Sequence, residues 1–373
     1  MEQPLTVCLV LKDRGWILEK MAMRLAEHLP NWKVEAEIAY FPSPTVDVNH
    51  WMLYYDLEGG LYSKNTLAIT HVDRPAKLHV LKQRLKKADM GICMSRMTLE
   101  QLVLSSIPRQ RLCYITPAHD GEVKPKRIVI GITSQIRLDG AKREDILIKL
   151  ANSIRLDAFH FEIIGPHWEK IIPQLEAAGA TVHYLPGAKD NIEHRKIILE
   201  HLSTYDYYLY MGFDEGSMGF LDALAAGIPT IVTPQGFHLD INGGITYPFS
   251  NASELCTIFQ KLAGERQRRI ESVSNLTWNE YARQHALIWR ALVEGRQTGV
   301  NELLHAQDTY ATPLPTLSRR EALVDGSRFN MRGNRASFWG DFLMLWEFYT
   351  DSKFEKTFLF SVARTIKHSI IRR

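Results

Sequence analysis

Short apolar runs alternate with helical repeats over the first 120 or so residues. Residues 5–11, Leu-Thr-Val-Cys-Leu-Val-Leu, are almost wholly apolar and rich in branched side chains, the pattern of a strand buried on both faces. Over 16–29, Ile17, Met21, Leu25 and Leu29 recur one turn apart, which predicts a helix ending near Pro30. Residues 67–71, 90–94 and 111–116 predict further strands, and 97–105 a helix. Strands that alternate with helices imply a parallel sheet with helices on both faces.

The pattern pauses at 117–126, a stretch of Pro, His, Asp, Gly and Lys that predicts a domain boundary. It then restarts. Strands are expected at 128–133, 159–165, 181–185, 207–211 and 230–233, with helices at 143–154, 196–203, 218–226, 253–263 and 277–294. The helix at 218–226 carries its own stop signal, Gly227 followed by Pro229. The expected α/β organisation is therefore a Rossmann-like domain over 1–122, a second over 123–298, and an extension over 299–373. Two such domains facing a cleft would bind a ligand between them. Residues 312–336 are rich in Pro, Ser, Arg and Gly without periodicity and read as a linker or surface loop.

Composition narrows this picture modestly. A chain of 373 residues suits two domains and an appendage. A net charge of +3 is too small to argue for nucleic acid. Cys8, Cys93, Cys113 and Cys256 form no C-x-x-C pair, so buried free thiols in a reducing compartment are expected rather than disulfides or a zinc site. Residues 5–11 are too short, and lack the preceding basic residues, for a signal peptide, and no run reaches the ~18 apolar residues of a membrane span. A cytoplasmic location is the expectation.

The densest chemical signal is Asp214-Glu-Gly-Ser-Met-Gly-Phe-Leu-Asp222-Ala-Leu-Ala-Ala-Gly227-Ile-Pro229. It reads as a glycine-bearing turn leading from a strand into a helix. Backbone N–H groups of Ser217, Met218 and Gly219 at that helix start could bind phosphate, with Glu215 and Gly216 in the preceding turn. Asp222 could accept hydrogen bonds from ribose hydroxyls, or simply favour the helix start.

This segment resembles the retaining GT-B glycosyltransferases, especially glycosyltransferase family 4. That family has two carboxylates eight positions apart, then a small-residue helix ending Gly-x-Pro. Asp214, Asp222 and 223–229 match the pattern, although both carboxylates are usually Glu in the family. Glu215 competes with Asp214 for the sugar-facing role. The family also carries Arg and, five positions later, Lys after the first strand of its second domain, and Arg137 and Lys142 fit. The resemblance implies that both grip the diphosphate of a nucleotide-sugar donor, where fixed cations stabilise the departing charge. It also suggests that His71, at a strand end, contacts the donor sugar or phosphate. Gly15-Trp16 would lie in an acceptor-side loop. No D-x-D strand-end motif or H-E-x-x-H is present, so neither a metal nor another cofactor is expected.

The resemblance implies the GT-B architecture and transfer of a sugar, with retention, to a glycan or lipid-linked acceptor in polysaccharide biosynthesis. A nucleotide-sugar 2-epimerase on the same architecture and a non-catalytic nucleotide-sugar-binding module are the alternatives. Towards the C-terminus, Phe354, Phe358, Val362, Ile366 and Ile370 form a stripe every four residues. Six cations and one anion, Glu355, lie within 353–373, a local balance of +5. Such a basic amphipathic helix could dock on the inner membrane surface or on a partner protein.

Overall fold

The structure, a computed structural model, describes residues 3–58, 63–137, 140–296 and 299–305. The chain divides into two compact units, one of residues 1–121 and 276–373, the other of 122–275. The expected linker at 312–336 and the basic stripe at 354–370 lie outside the described residues.

The first unit builds β1 (Leu5–Val10), α1 (Ile17–His28), β2 (Val34–Ala39), β3 (Val48–Trp51), β4 (Lys64–Ile69), α2 (Pro75–Lys87), β5 (Met90–Cys93), α3 (Arg96–Leu104) and β6 (Leu112–Tyr114). Its sheet has the order β2-β1-β3-β4-β5-β6, parallel throughout. One apolar cluster, including Leu9, Met21, Leu25 and Trp289, lies on one side of the sheet, and another, including Cys8, Trp51, Leu81 and Leu99, on the other. Three cysteines are buried and free; Cys256, in the second unit, is free but only partly buried.

The second unit builds β7 (Ile128–Ile132), α4 (Asp145–Ser153), β8 (Phe159–Ile164), α5 (Ile172–Ala177), β9 (Thr181–Leu185), α6 (Asn191–Leu202), β10 (Tyr207–Tyr210), α7 (Met218–Ala225), β11 (Thr230–Val232), β12 (Tyr247–Pro248) and α8 (Ala252–Glu271). Its parallel sheet runs β12-β11-β10-β7-β8-β9. Numbered from β7 as one, that is the 3-2-1-4-5-6 order of a dinucleotide-binding sheet read from the other edge, and strand order reverses between β7 and β10. Ligands in open α/β sheets bind outside the carboxyl ends of the strands at this reversal. The expected α/β class, with two Rossmann-like parallel sheets, is what the chain forms.

The return of the chain differs from the sequence expectation. Segment 276–298 was expected to close the second domain, but α9 (Trp278–Val293) and α10 (Val300–His305) belong to the first unit. The reason is visible on α9. Trp289 Nε1 donates to Thr66 Oγ1 on β4 at 3.1 Å, and Trp278 Nε1 donates to Asp120 at 2.9 Å. His285 packs edge-on to His50 of β3, ring centroids 5.3 Å apart. Buried polar groups need such partners, and these ones lie on β3, on β4 and in the loop after β6, all in the first unit.

Candidate functional site

Loops from the carboxyl ends of β7, β10 and β11 meet in the second unit. The Phe213 N–H, after β10, donates to the Ala141 carbonyl, after β7, at 2.7 Å. The Gln235 side-chain amide, after β11, donates to the Gly212 carbonyl. The first of these contacts ties together residues 72 positions apart in sequence, the second residues 23 apart.

Lys142 and Asp214 join at this point. Lys142 Nζ donates to Asp214 Oδ2 at 2.6 Å and to the Tyr210 hydroxyl at 2.7 Å. The Tyr210 hydroxyl donates to Asp214 Oδ1 at 2.6 Å, and the Gly216 N–H reaches the same oxygen at 3.1 Å. Burial pushes the Asp214 carboxyl up, but the bonds from Lys142, Tyr210 and Gly216 outweigh it and hold the group below the usual carboxylate range. Burial, with the Asp214 carboxylate beside it, drives the Tyr210 phenol far up, so it stays protonated. Arg137 is exposed, and its charge acts on Tyr210 in the opposite sense.

The start of α7 is less open than its sequence suggests. The Ser217 N–H, expected to be available for phosphate, donates to His238 Nε2 at 3.0 Å. The Ser217 hydroxyl does not cap the helix; it bonds the Tyr208 hydroxyl at 2.8 Å, which in turn meets Thr133 Oγ1 at 3.1 Å. Met218 and Gly219 remain as first-turn amides, which have no carbonyl partner within the helix. Gly219 has to be glycine: a Cβ there would lie 2.1 Å from Thr133 Oγ1. Gly216 occupies the left-handed region at φ +123°.

Asp222 does not stand open either. Its carboxylate takes the guanidinium fork of Arg195 on α6, one arm at 2.8 Å. Glu215, by contrast, has an exposed side chain and contributes its backbone carbonyl to the Phe237 N–H at 3.1 Å. Of the two competing acids, Asp214 is engaged and Glu215 is accessible. His71 lies elsewhere, exposed after β4 in the first unit, with Nε2 2.8 Å from Lys77 Nζ and Nδ1 3.2 Å from Thr70 Oγ1. The site residues on the second unit are thus brought together, while His71 belongs to a different unit.

No family model matches the chain, and no curated protein does. Solved structures similar to it include a glycosyltransferase from Rickettsia africae ESF-5, at 12% identity and TM-score 0.32, covering 79% of this chain and 99% of that one. The HepE protein of Anabaena in complex with UDP-glucose is similar at 12% identity and TM-score 0.28, over 81% of this chain and 98% of that one. The lipopolysaccharide outer core galactosyltransferase WaaB is similar at 11% identity and TM-score 0.30, over 77% of this chain and 100% of that one. At such scores the functional reading rests on this chain's own residues.

Two residues of the site have roles that the sequence reading did not assign. His238 is fully buried, with Nδ1 3.3 Å from the Thr233 carbonyl and Nε2 accepting from Ser217. These two partners fix the tautomer with the proton on Nδ1. Burial lowers its pKa, so it is neutral. Its ring packs against Phe220 at a tilt of 36°, centroids 4.2 Å apart. Arg143, next to Lys142, adopts φ +52° and donates to the Ser250 carbonyl at 2.5 Å. The left-handed backbone at a bulky residue turns the chain sharply there. Neither role could be read from spacing, because both depend on residues brought together only by folding.

Proposed function

We propose that the chain is a glycosyltransferase that moves a sugar from a nucleoside-diphosphate sugar to a glycan or lipid-linked acceptor, with retention at the anomeric carbon. The observation that carries this reading is the Lys142–Asp214–Tyr210 junction at the strand-order reversal, where a parallel sheet presents its ligand site. An ammonium has three N–H donors. Asp214 and Tyr210 take two of them on Lys142, leaving the third for a phosphate oxygen. Arg137 adds a planar fork, and the Met218 and Gly219 amides add the helix start.

Asp214 then acts through Lys142 as a positioning residue, and Glu215 faces the donor sugar. In the transfer, the bond from the anomeric carbon to the diphosphate oxygen breaks and a bond to the acceptor oxygen forms on the same face. The acceptor proton passes to the departing phosphate. Arg137 and Lys142 stabilise the charge that develops there. Trp16, Tyr40 and Phe41 belong to the acceptor side: they are 71%, 50% and 70% exposed beyond the carboxyl ends of β1 and β2. Flat apolar surface of this kind stacks on sugar rings or lipid chains. The transfer step is assigned no metal.

The test is incubation with a panel of nucleoside-diphosphate sugars, with and without glycan and lipid-linked acceptors, in buffer with and without EDTA. Release of nucleoside diphosphate coupled to transferred sugar is expected, with the anomeric configuration kept and turnover persisting in EDTA. An isomerised sugar formed without acceptor would make the chain an epimerase. Binding without turnover would make it a binding module.

A further inference from the structure

On β8 the side chains alternate between two environments. Phe159, Phe161 and Ile163 pack in the apolar cluster that also holds Phe259 of α8. His160 and Glu162 occupy the alternate positions. Strands of a parallel sheet are normally apolar on both faces, so a carboxylate here, with its side chain only 7% exposed, requires compensation. Three imidazoles supply it. His183, paired in register with Glu162 from β9, has Nδ1 2.5 Å from Glu162 Oε1. His201, in the last turn of α6, has Nδ1 2.9 Å from the same oxygen. His160 Nε2 lies 3.3 Å from the other oxygen, Oε2, while its Nδ1 meets Thr181 Oγ1 at 2.8 Å.

We propose that Glu162, His183 and His201 form a binding site for a divalent transition-metal ion of the zinc class, set in the body of the sheet and apart from the loops of the transfer site. One ligand atom from each lies within 4.8 Å of the other two. Two imidazole nitrogens and a carboxylate oxygen are a donor set that zinc takes, with water completing the tetrahedron. Zinc would separate its ligand atoms to roughly 3.3 Å, given bonds of about 2.0–2.1 Å. The required shift is within reach of His183, whose side chain is 49% exposed on the edge strand β9. His160 holds the far carboxylate oxygen and orients the ligand from outside the coordination shell. Beside the cluster stands a second anomaly. Tyr205 is 6% exposed, its hydroxyl has no hydrogen-bond partner, and it lies near enough for the Glu162 charge to act on it. A water molecule on the ion is the kind of partner such a hydroxyl takes.

The ion would serve as a clamp. Of the twelve residues of α6 only Leu202 is buried, so polar tethers must hold this helix: Arg195 to Asp222 on α7, and His201 to Glu162. A metal bond at His201 would fix the end of α6 to β8 and β9.

The experiment uses the full chain, stripped by dialysis against a chelator and then titrated with zinc and with cobalt(II). One equivalent of zinc per chain is expected, with a midpoint of thermal unfolding that rises with free zinc, and with the visible absorption of tetrahedral cobalt. His183→Ala and His201→Ala should each abolish the stoichiometric binding and the cobalt spectrum. His160→Ala should retain the spectrum with affinity about 10–100-fold weaker. His183 is exposed, so His183→Ala tests the site without risk to the core, and its folding is checked by circular dichroism. Equal zinc affinity in the native chain and His183→Ala, or no stoichiometric zinc in the native chain, would overturn the proposal. None of these readouts depends on sugar transfer.

Discussion

Lys142 illustrates how one side chain acquires a function from its neighbours. In isolation, a lysine near a helix start is a solvated charge. Here its side chain is 15% exposed, and Asp214 and Tyr210 aim it. Removing a fixed charge-stabilising donor typically costs about 10²–10³ in turnover. Lys142→Ala and Arg137→Ala are therefore each expected to lower kcat by at least ~10², with the fold retained. Near-native turnover in both variants would remove them from the reaction. Asp214→Asn keeps the shape of the junction but loses the charge opposite Lys142. A smaller fall in kcat than in Lys142→Ala is expected, since Asp214 acts through the lysine.

At the scale of elements, α7 and α6 together decide how open the nucleotide site is. Asp222 was read from sequence as a ribose acceptor, and its α7 setting is as expected, but its partner Arg195 comes from α6, 27 residues earlier. A surface ion pair of this sort contributes only about 0–1 kcal/mol. Arg195→Ala should therefore change the unfolding midpoint little and leave nucleoside diphosphate affinity within a few-fold. Asp222→Asn should weaken that affinity clearly. Calorimetric titration distinguishes the two, and equal affinities in native chain and Asp222→Asn would reduce Asp222 to a partner for Arg195. The same comparison shows what was legible in the sequence. Strands β1 and β7 were readable because they are nearly continuous apolar or β-branched runs, and β8 and β9 because apolar residues recur at alternate positions. β3 was not, since Val48-Asn-His-Trp51 buries an Asn and a His whose partners, Ser43 and Thr66, are assembled by folding. The Arg137–Lys142 and 214–229 signals were legible because each is local in sequence. His238 and the Glu162 cluster were invisible: their members sit on separate elements with no fixed spacing, and a search for compact metal motifs passes over Glu162, His183 and His201.

The whole molecule carries a pH dependence written into its buried histidines. His285 of α9 and His50 of β3 are fully buried against each other in the first unit, and burial lowers both, His285 to about 4. His238 is lowered likewise in the second unit. All three are neutral when folded, whereas an unfolded histidine protonates near ~6.5. Below that value the unfolded chain binds protons that the folded chain refuses, so stability is complete above about pH 6.5 and declines as pH falls toward 4. For His285 alone the full loss is on the order of 3 kcal/mol. Asp56, raised to about 6 by burial, opposes this, since the folded form takes up its proton first. In the first unit, two histidines against one aspartate leave a net loss. The urea midpoint of the first unit, followed by hydrogen exchange on α9, should drop between pH 7 and 5, and an unchanged midpoint would contradict the reading.

Location belongs to the same scale. No helix among the described residues is long and apolar enough to cross a membrane. We propose that the segment 353–373 brings the transfer site to an inner membrane surface bearing the lipid-linked acceptor. Its apolar stripe, Phe354 to Ile370, and its balance of +5 suit an anionic headgroup layer. Each basic residue held near such a surface contributes about 1 kcal/mol, and the attraction fades within a Debye length, so docking should weaken with salt. Sedimentation with liposomes of graded anionic lipid content should carry down the full chain at low salt, progressively less as salt rises, and leave a chain ending near residue 336 in solution. If the full chain and the shortened one both stay in the supernatant, the stripe faces protein and not lipid.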